Sequence, residues 1–102
     1  MLNYNVIRTL YADERIKDKL EYIRRQFHGC QAHEHLLNEL EAVEQELSYN
    51  ATFNRPHIDN DGEIYRYAHI NVGEGYYLLY RIEDDTVIIL DCLHKRELYE
   101  IP

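Results

Sequence analysis

The spacing of apolar residues changes once along this sequence of 102 residues, and the change limits which folds are open to it. In the first half the apolar residues recur every three or four positions, which is the spacing of one face of an α-helix. After Gly62 they recur at every second position or run without interruption, as they do in β-strands. Helices followed by strands predict an α+β domain in which the helices pack on one face of a sheet.

A first strand over residues 3–11 and then two helices are predicted in the first half. The first helix should span about residues 13–27, with Asp13 as its N-cap. Its apolar stripe consists of Ile16, Leu20, Ile23 and Phe27. After a turn at Gly29, the second helix carries a stripe formed by Leu36, Leu40, Val43 and Leu47. Residues 50–56 end this helical hairpin, with Phe53 as an apolar anchor, and a polar loop follows.

A three-stranded antiparallel sheet is predicted for the second half, with strands over residues 64–71, 76–82 and 87–93. The last two strands form a hairpin around an acidic turn at residues 83–86. This turn lacks the glycine that two-residue hairpin loops favour, which leaves a longer connection open. One helical hairpin covers one face of such a sheet, so we expect the other face to be open to a partner.

Size and charge exclude several classes of protein. At 12.3 kDa the chain is expected to form one domain over residues 1–102, with any active site in a surface groove. Its 11 basic and 19 acidic residues give a net charge of -8, which argues against broad binding of nucleic acid phosphates. Neither a membrane span nor a signal peptide is recognisable, so we expect a cytoplasmic protein whose two cysteines are reduced.

The strand end at His94-Lys95-Arg96, together with Tyr99, is the best candidate for chemistry. Histidine titrates near neutrality and arginine is a bidentate donor to phosphate, so this group could bind a phosphate and move a proton. The alternative is a solvated strand end that forms ion pairs. Arg66 and Arg81, on neighbouring strands, join the group if both point to the helix-free face; otherwise they pair with carboxylates across the strands.

The ten tyrosines of the sequence are concentrated on the predicted strands. Tyr77 is one of these strand tyrosines. They could stack on bases or pack against a partner, but tyrosine is also a common resident of half-buried sheets. Cross-strand tyrosines leave a homodimer open as well.

No metal or cofactor site is expected. The run formed by His28, Cys30, His33 and His35 matches no standard zinc spacing. The sequence also lacks the motifs of serine hydrolases, P-loop proteins, dinucleotide-binding proteins and HExxH metalloproteases.

The order of these elements resembles the RelE/ParE superfamily of toxins over residues 4–99. The similarity is carried by the helical hairpin, an Asn-Arg-Pro loop, the Gly-Tyr-Tyr-Leu-Leu-Tyr-Arg-Ile strand at residues 75–82, the Val-Ile-Ile-Leu strand at 87–90, and His94 and Arg96. It implies the toxin of a type II toxin–antitoxin (plasmid stabilisation) module, held inactive by an antitoxin that wraps it. Members of the RelE branch cleave messenger RNA on the ribosome, whereas members of the ParE branch poison DNA gyrase.

For the RNA-cleaving branch, the resemblance implies that Lys95 and Arg96 are the basic pair after the last strand and that Tyr99 is the C-terminal tyrosine. Arg66 stands in for a basic residue of the second strand, and His94 acts as acid or base. This chain departs from the pattern in three ways. Tyr77 occupies a position where many RNA-cleaving members have arginine, the second strand offers one arginine rather than a pair of lysines, and the net charge is -8.

These features predict a growth-inhibiting toxin. Ribosome-dependent message cleavage is placed slightly ahead of gyrase poisoning, and a catalytically silent binding homologue is the third alternative. The catalytic group is His94, Lys95, Arg96 and Tyr99, and the substrate-binding residues are Arg66, Arg81 and Tyr77. Because the toxin is acidic, its antitoxin is expected to contact it through basic or strongly apolar residues.

Overall fold

A helical hairpin packed on a mixed sheet is the architecture seen in the computed structural model, which describes residues 3–27, 30–73 and 75–98. The elements are β1 (Asn5–Arg8), α1 (Leu10–Phe27), α2 (Cys30–Asn50), β2 (His57–Ile58), β3 (Ile64–Ile70), β4 (Tyr76–Glu83), β5 (Thr86–His94) and α3 (Lys95–Leu98). The predicted α+β class, with a strand, two helices and then a sheet, is confirmed. No helix in these ranges is long and apolar enough to cross a bilayer.

The sheet has five strands in the order β1-β5-β4-β3-β2, rather than the three predicted. The first strand joins it as a parallel neighbour of β5, with Val6 opposite Val87. The other addition, β2, is a two-residue strand inside the predicted loop, where His57 pairs with Tyr65. Pairing with β5 depends on contacts between distant parts of the chain, and β2 is too short to show a periodic pattern.

The core lies between the helices and one face of the sheet. The sheet contributes alternate residues, among them Ala68, Leu78 and Ile89, which are at most 3% exposed. The helices contribute the buried part of the two predicted stripes: Ile16 and Ile23 from α1, and Leu36, Leu40 and Leu47 from α2. Leu20 and Val43 are partly buried against this cluster. The helical spacing therefore predicted the buried faces correctly, whereas the side chain of Phe27 lies outside the described residues.

The start of α1 differs from the prediction. The helix begins at Leu10, and the hydroxyl of Thr9 accepts a hydrogen bond from the backbone N–H of Ala12 at 3.0 Å. Thr9 therefore caps the helix, and the assignment of Asp13 as the N-cap was wrong. Asp13 lies in the first turn, where it forms ion pairs with Arg8 at 3.1 Å and Lys17 at 3.2 Å.

Two loop predictions also change. Phe53 is 79% exposed and is not an anchor; the α2–β2 loop is held instead by Tyr80, whose hydroxyl donates to the carbonyl of Ala51 at 2.6 Å. The β4–β5 connection has only two residues, since Glu83 pairs directly with Thr86. Asp84 adopts a left-handed φ of 53°, a conformation that aspartate tolerates better than most residues.

A bulge in β5 shifts which residues face the helices. Leu79 pairs with Asp91 and Tyr80 pairs with Ile89, so Leu90 is an extra residue in β5. Before the bulge the odd-numbered Ile89 is buried, and after it the even-numbered Cys92 is buried. The bulge thus sets the orientation of the strand end that leads to His94.

Candidate functional site

The end of β5 and the start of β4 form the floor of the candidate site. His94 pairs with Tyr76, and their rings pack edge to face with centroids 5.1 Å apart. The Nδ1 atom of His94 accepts a hydrogen bond from the backbone N–H of Arg96 at 3.2 Å. In this arrangement the neutral imidazole carries its proton on Nε2.

The turn before β4 positions the start of α3. The carbonyl of Gly75 accepts a hydrogen bond from the backbone N–H of Lys95 at 3.1 Å. Gly75 has a φ of 110°, and a Cβ atom at this position would lie 3.0 Å from Nε2 of His69. The close approach and the backbone conformation together require glycine here.

Glu97 fastens α3 to α1. Its carboxylate accepts hydrogen bonds from the side chains of Arg15 and Lys19, and from the backbone N–H of His94 at 2.9 Å. Burial would raise the pKa of Glu97, but these three donors outweigh it and lower the pKa to about 2. Glu97 is therefore ionised at neutral pH, and it compensates two cations of α1.

Arg15 connects this group to the sheet, because its Nε donates to Asp91 at 2.9 Å. Burial works to lower the pKa of Arg15, but the hydrogen bonds to Asp91 and Glu97 raise it above the ordinary value. Cys92 follows Asp91 in β5 and is buried. Burial raises the pKa of Cys92 to about 12, so its thiol stays protonated at neutral pH. The carboxylates of Asp91 and Glu97 are thus paired with cations of α1.

A surface cleft of about 350 Å³ opens beside His94, between the two helices and the sheet. It is lined by Tyr22, Ile23, Ala32, His35, Val72, Gly73, Tyr76, His94 and Arg96. A second cleft of about 270 Å³ shares His94 and Arg96 and reaches Asp18, Lys19 and Glu97. The walls of the first cleft combine aromatic rings with two histidines and an arginine, so the site could hold a small polar group or a side chain of a partner.

The predicted substrate-binding residues do not meet at this cleft. Arg66 pairs with the buried Tyr80 on the helix-covered face, and its Nε donates to the carbonyl of Asn54 at 2.9 Å. Arg81 lies on the opposite face and forms an ion pair with Glu83 at 3.1 Å. Arg66 and Arg81 do not share the helix-free face, because they occupy positions of opposite parity in the paired strands. Arg81 pairs with a carboxylate of its own strand.

The remaining predicted site residues lie partly at the cleft and partly on the helix-free face of the sheet. His94 and Arg96 line the cleft, and the exposed Lys95 begins α3 beside them. Tyr77 is on the helix-free face, where its ring contacts that of His69 at a centroid distance of 5.0 Å. Tyr99, which the sequence assigned to the catalytic group, lies outside the described residues.

The histidine run of the sequence is only partly described, since His28 and the side chain of Cys30 lie outside the described residues. His33 and His35 belong to the first turns of α2, and His35 lies 3.8 Å from Glu39. Within the described ranges, no group of three or more histidine, cysteine, aspartate or glutamate residues could hold a metal ion.

Comparison with known proteins assigns this architecture to a family. The family model described as "ParE toxin of type II toxin-antitoxin system, parDE" matches residues 6–99. This chain belongs to the ParE toxin family. The match runs from Val6 in β1 past the end of α3, and it includes the residues of the cleft at His94.

The fold of this ParE family member is also found in a solved structure. A chain of the "Chromosomal ParDE TA system from P. aeruginosa" superposes with a TM-score of 0.73, at 10% sequence identity. The alignment covers 92% of the present chain and 98% of the other. At this identity the likeness concerns the fold alone. No curated protein matches the sequence significantly.

Three residues of the candidate site were not predicted. Tyr22 and Tyr76 line the cleft, and Glu97 organises the cations behind it. Glu97 stands within the tail motif of the sequence, so its proximity to His94 was visible. Its bonds to Arg15 and Lys19 cross about eighty positions of sequence and depend on how α1 packs on β5.

Proposed function

We propose that this protein arrests growth as the toxin of a type II toxin–antitoxin module and is neutralised by a cognate antitoxin. The family match over residues 6–99 is the observation that carries the proposal. The partner follows from the same match, because the family is defined by two-component systems. The acidic net charge of -8 is also better suited to a protein partner than to extended nucleic acid.

For the cellular target we place DNA gyrase first, reversing the order favoured by the sequence alone. Message cleavage needs several cations around one phosphate. Arg66 and Arg81 are instead on opposite faces of the sheet, and both are engaged with groups of this chain. Arg15 and Lys19 are likewise bound to Glu97. A toxin that acts by binding a protein such as gyrase does not require a nuclease centre.

Ribosome-dependent message cleavage is the second candidate, and the cleft at His94 favours it. The Nε2 atom of His94 could transfer a proton, and Arg96 lines the same cleft and could bind a phosphate oxygen. Lys95 is exposed beside them. These groups are the part of the predicted catalytic set that stays together.

Induced expression of the protein without an antitoxin tests the first proposal. We expect growth to stop within a few generations and to resume when the adjacent antitoxin gene is expressed. Soluble, folded protein that leaves growth unchanged would contradict a toxin assignment.

The two targets are separated by an arginine variant with a matched control. If the protein cleaves message, Arg96→Ala should abolish toxicity. Cells that express this variant should then contain no new message ends. Arg24→Ala, on an exposed position of α1, removes the same charge away from the cleft. Gyrase-trapped DNA breaks in cells that express either variant, without new message ends, support gyrase. New message ends that depend on Arg96 support cleavage instead.

A further inference from the structure

A continuous cluster of rings occupies the sheet face opposite α1 and α2. We call it the tyrosine face, and it consists of His57, Tyr65, Tyr67, His69 and Tyr77. His57 stacks on Tyr65 with centroids 5.5 Å apart, and Tyr65 meets Tyr67 edge to face at 5.7 Å. Neighbouring rings are 5.0 to 6.4 Å apart across three strands. The rings thus form one surface rather than scattered aromatic side chains.

The tyrosine face remains accessible in the described part of the chain. His69 is exposed, and Tyr65, Tyr67 and Tyr77 are half-buried. A cleft of about 410 Å³ runs along the face and is lined by Asp59, Glu63, Ile64, Tyr65, Tyr67, Leu79, Arg81 and Leu90. Exposed apolar surface next to a cleft is characteristic of a protein-binding site.

The charge of this cleft is negative. The Oδ1 atom of Asp59 accepts hydrogen bonds from the backbone N–H groups of Asp61 and Glu63, both at 2.9 Å, so its carboxylate is held in place. Glu63 lies beside it on the cleft wall. The cation of the cleft, Arg81, is already paired with Glu83 at 3.1 Å. Asp59 and Glu63 are therefore the charges that an incoming partner meets.

The phenol of Tyr67 is neutral at physiological pH. Burial raises the pKa of Tyr67, and the neighbouring Tyr65 and Asp91 act in the same direction. Neutral phenol rings attract cations over their faces, and carboxylates at the rim add to the attraction. Arginine and lysine also carry aliphatic stems that pack against apolar surface, so one such side chain can contact the rings and the carboxylates together.

We infer that the tyrosine face is the surface on which the antitoxin docks a segment containing arginine or lysine next to apolar residues. The inference rests on the proposed function for the identity of the partner, while its chemistry rests on Asp59, Glu63 and the rings. An acidic segment or a nucleic acid would bring negative charge against the same carboxylates. A second copy of this chain, with a net charge of -8, would do the same.

The test uses the full chain and two synthetic peptides. One peptide alternates leucine with arginine, and its twin has glutamate at every arginine position. Each is titrated into isotopically labelled protein, and NMR follows the tyrosine ring and backbone amide signals. We expect the arginine peptide to shift the rings of the tyrosine face and to bind at least about tenfold more tightly than its twin.

Variants of the rim and of the rings localise the interaction. Asp59→Asn together with Glu63→Gln should weaken binding of the arginine peptide about tenfold. The control pair, Glu14→Gln with Glu41→Gln, makes the same change in net charge at exposed helical positions and should alter binding less than about twofold. Tyr65→Leu keeps an apolar side chain and should weaken binding about threefold. An unchanged fold is verified from the amide spectrum of each variant.

Several results would overturn the inference: equal binding of the two peptides, ring signals that do not move, or equal weakening by the rim pair and the control pair.

A cellular experiment separates this inference from the proposed function. The rim variant should still arrest growth but should need more antitoxin for rescue than the control pair. Rescue that is equally efficient for both pairs would overturn the docking site and leave the toxin assignment intact. Loss of toxicity in the unsubstituted protein would overturn only the assignment.

Discussion

At the scale of single residues, Glu97 joins the end of β5 to α1. It accepts hydrogen bonds from Arg15, Lys19 and the backbone of His94, and its side chain is 28% exposed. Its position is therefore coupled both to α1 and to the floor of the cleft. The same contacts make the carboxylate a determinant of stability that depends on pH.

Glu97→Gln should lower the free energy of unfolding by about 1–2 kcal/mol at pH 7, after allowance for solvent screening of the ion pairs. Because the pKa is lowered in the folded protein, the stabilisation is complete above the ordinary value of 4.5. It is lost as the pH falls from there towards about 2. Urea unfolding at several pH values measures the difference between wild type and variant. For Glu14→Gln, at an exposed position of α1, the difference in free energy of unfolding from wild type should not depend on pH in this way.

Cys92 offers a second test at this scale. Its side chain is 2% exposed, and burial raises its pKa to about 12. In a Cys30→Ser background, we expect alkylation of Cys92 by iodoacetamide at pH 8 to be slow in buffer and fast in urea. The rate in buffer should follow the fraction of unfolded protein. Rapid alkylation of the native protein would contradict the burial of this thiol.

At the scale of elements, the end of α2 is joined to the middle of β4 through one side chain. Tyr80 is fully buried, and its hydroxyl donates to the carbonyl of Ala51 and accepts from Nδ2 of Asn54 at 3.0 Å. Asn54 in turn supplies the carbonyl that binds Arg66. The helical hairpin and the sheet are thus connected by hydrogen bonds as well as by apolar packing.

Tyr80→Phe should destabilise the protein by about 1–2 kcal/mol, because it leaves a buried carbonyl without its donor. Tyr49→Phe removes a hydroxyl from a side chain that is 57% exposed on α2 and serves as the control. Thermal or urea unfolding of both variants measures the effect. Equal stability of the two variants would mean that the hydrogen bond to Ala51 contributes nothing.

At the scale of the whole molecule, the net charge of -8 governs association. If the antitoxin presents basic side chains, attraction acts over the whole surface and is weakened by salt. We expect the Kd of the toxin–antitoxin complex to rise about tenfold between about 50 mM and about 500 mM NaCl, measured by calorimetry. A Kd that falls as salt is added would indicate an acidic antitoxin surface instead.

How much of the candidate site could be predicted depends on sequence distance. His94, Lys95 and Arg96 are consecutive, so their proximity required only that a strand end there. Whether Arg66 and Arg81 join them depends on which strand face each occupies, and the register of β3 against β4 decides that. The bulge at Leu90 adds another change of face that apolar alternation does not reveal.

The sequence by itself determined the α+β class, the two amphipathic helices and the location of the C-terminal cations. These features follow from spacings of a few residues, where local geometry fixes which side chains share a face. Only the tertiary structure decided that β1 pairs with β5, that Glu97 binds two cations of α1, and that the rings from His57 to Tyr77 form one surface. Each of these joins positions far apart in the chain, and such contacts are selected by the packing of the whole core rather than by any local preference.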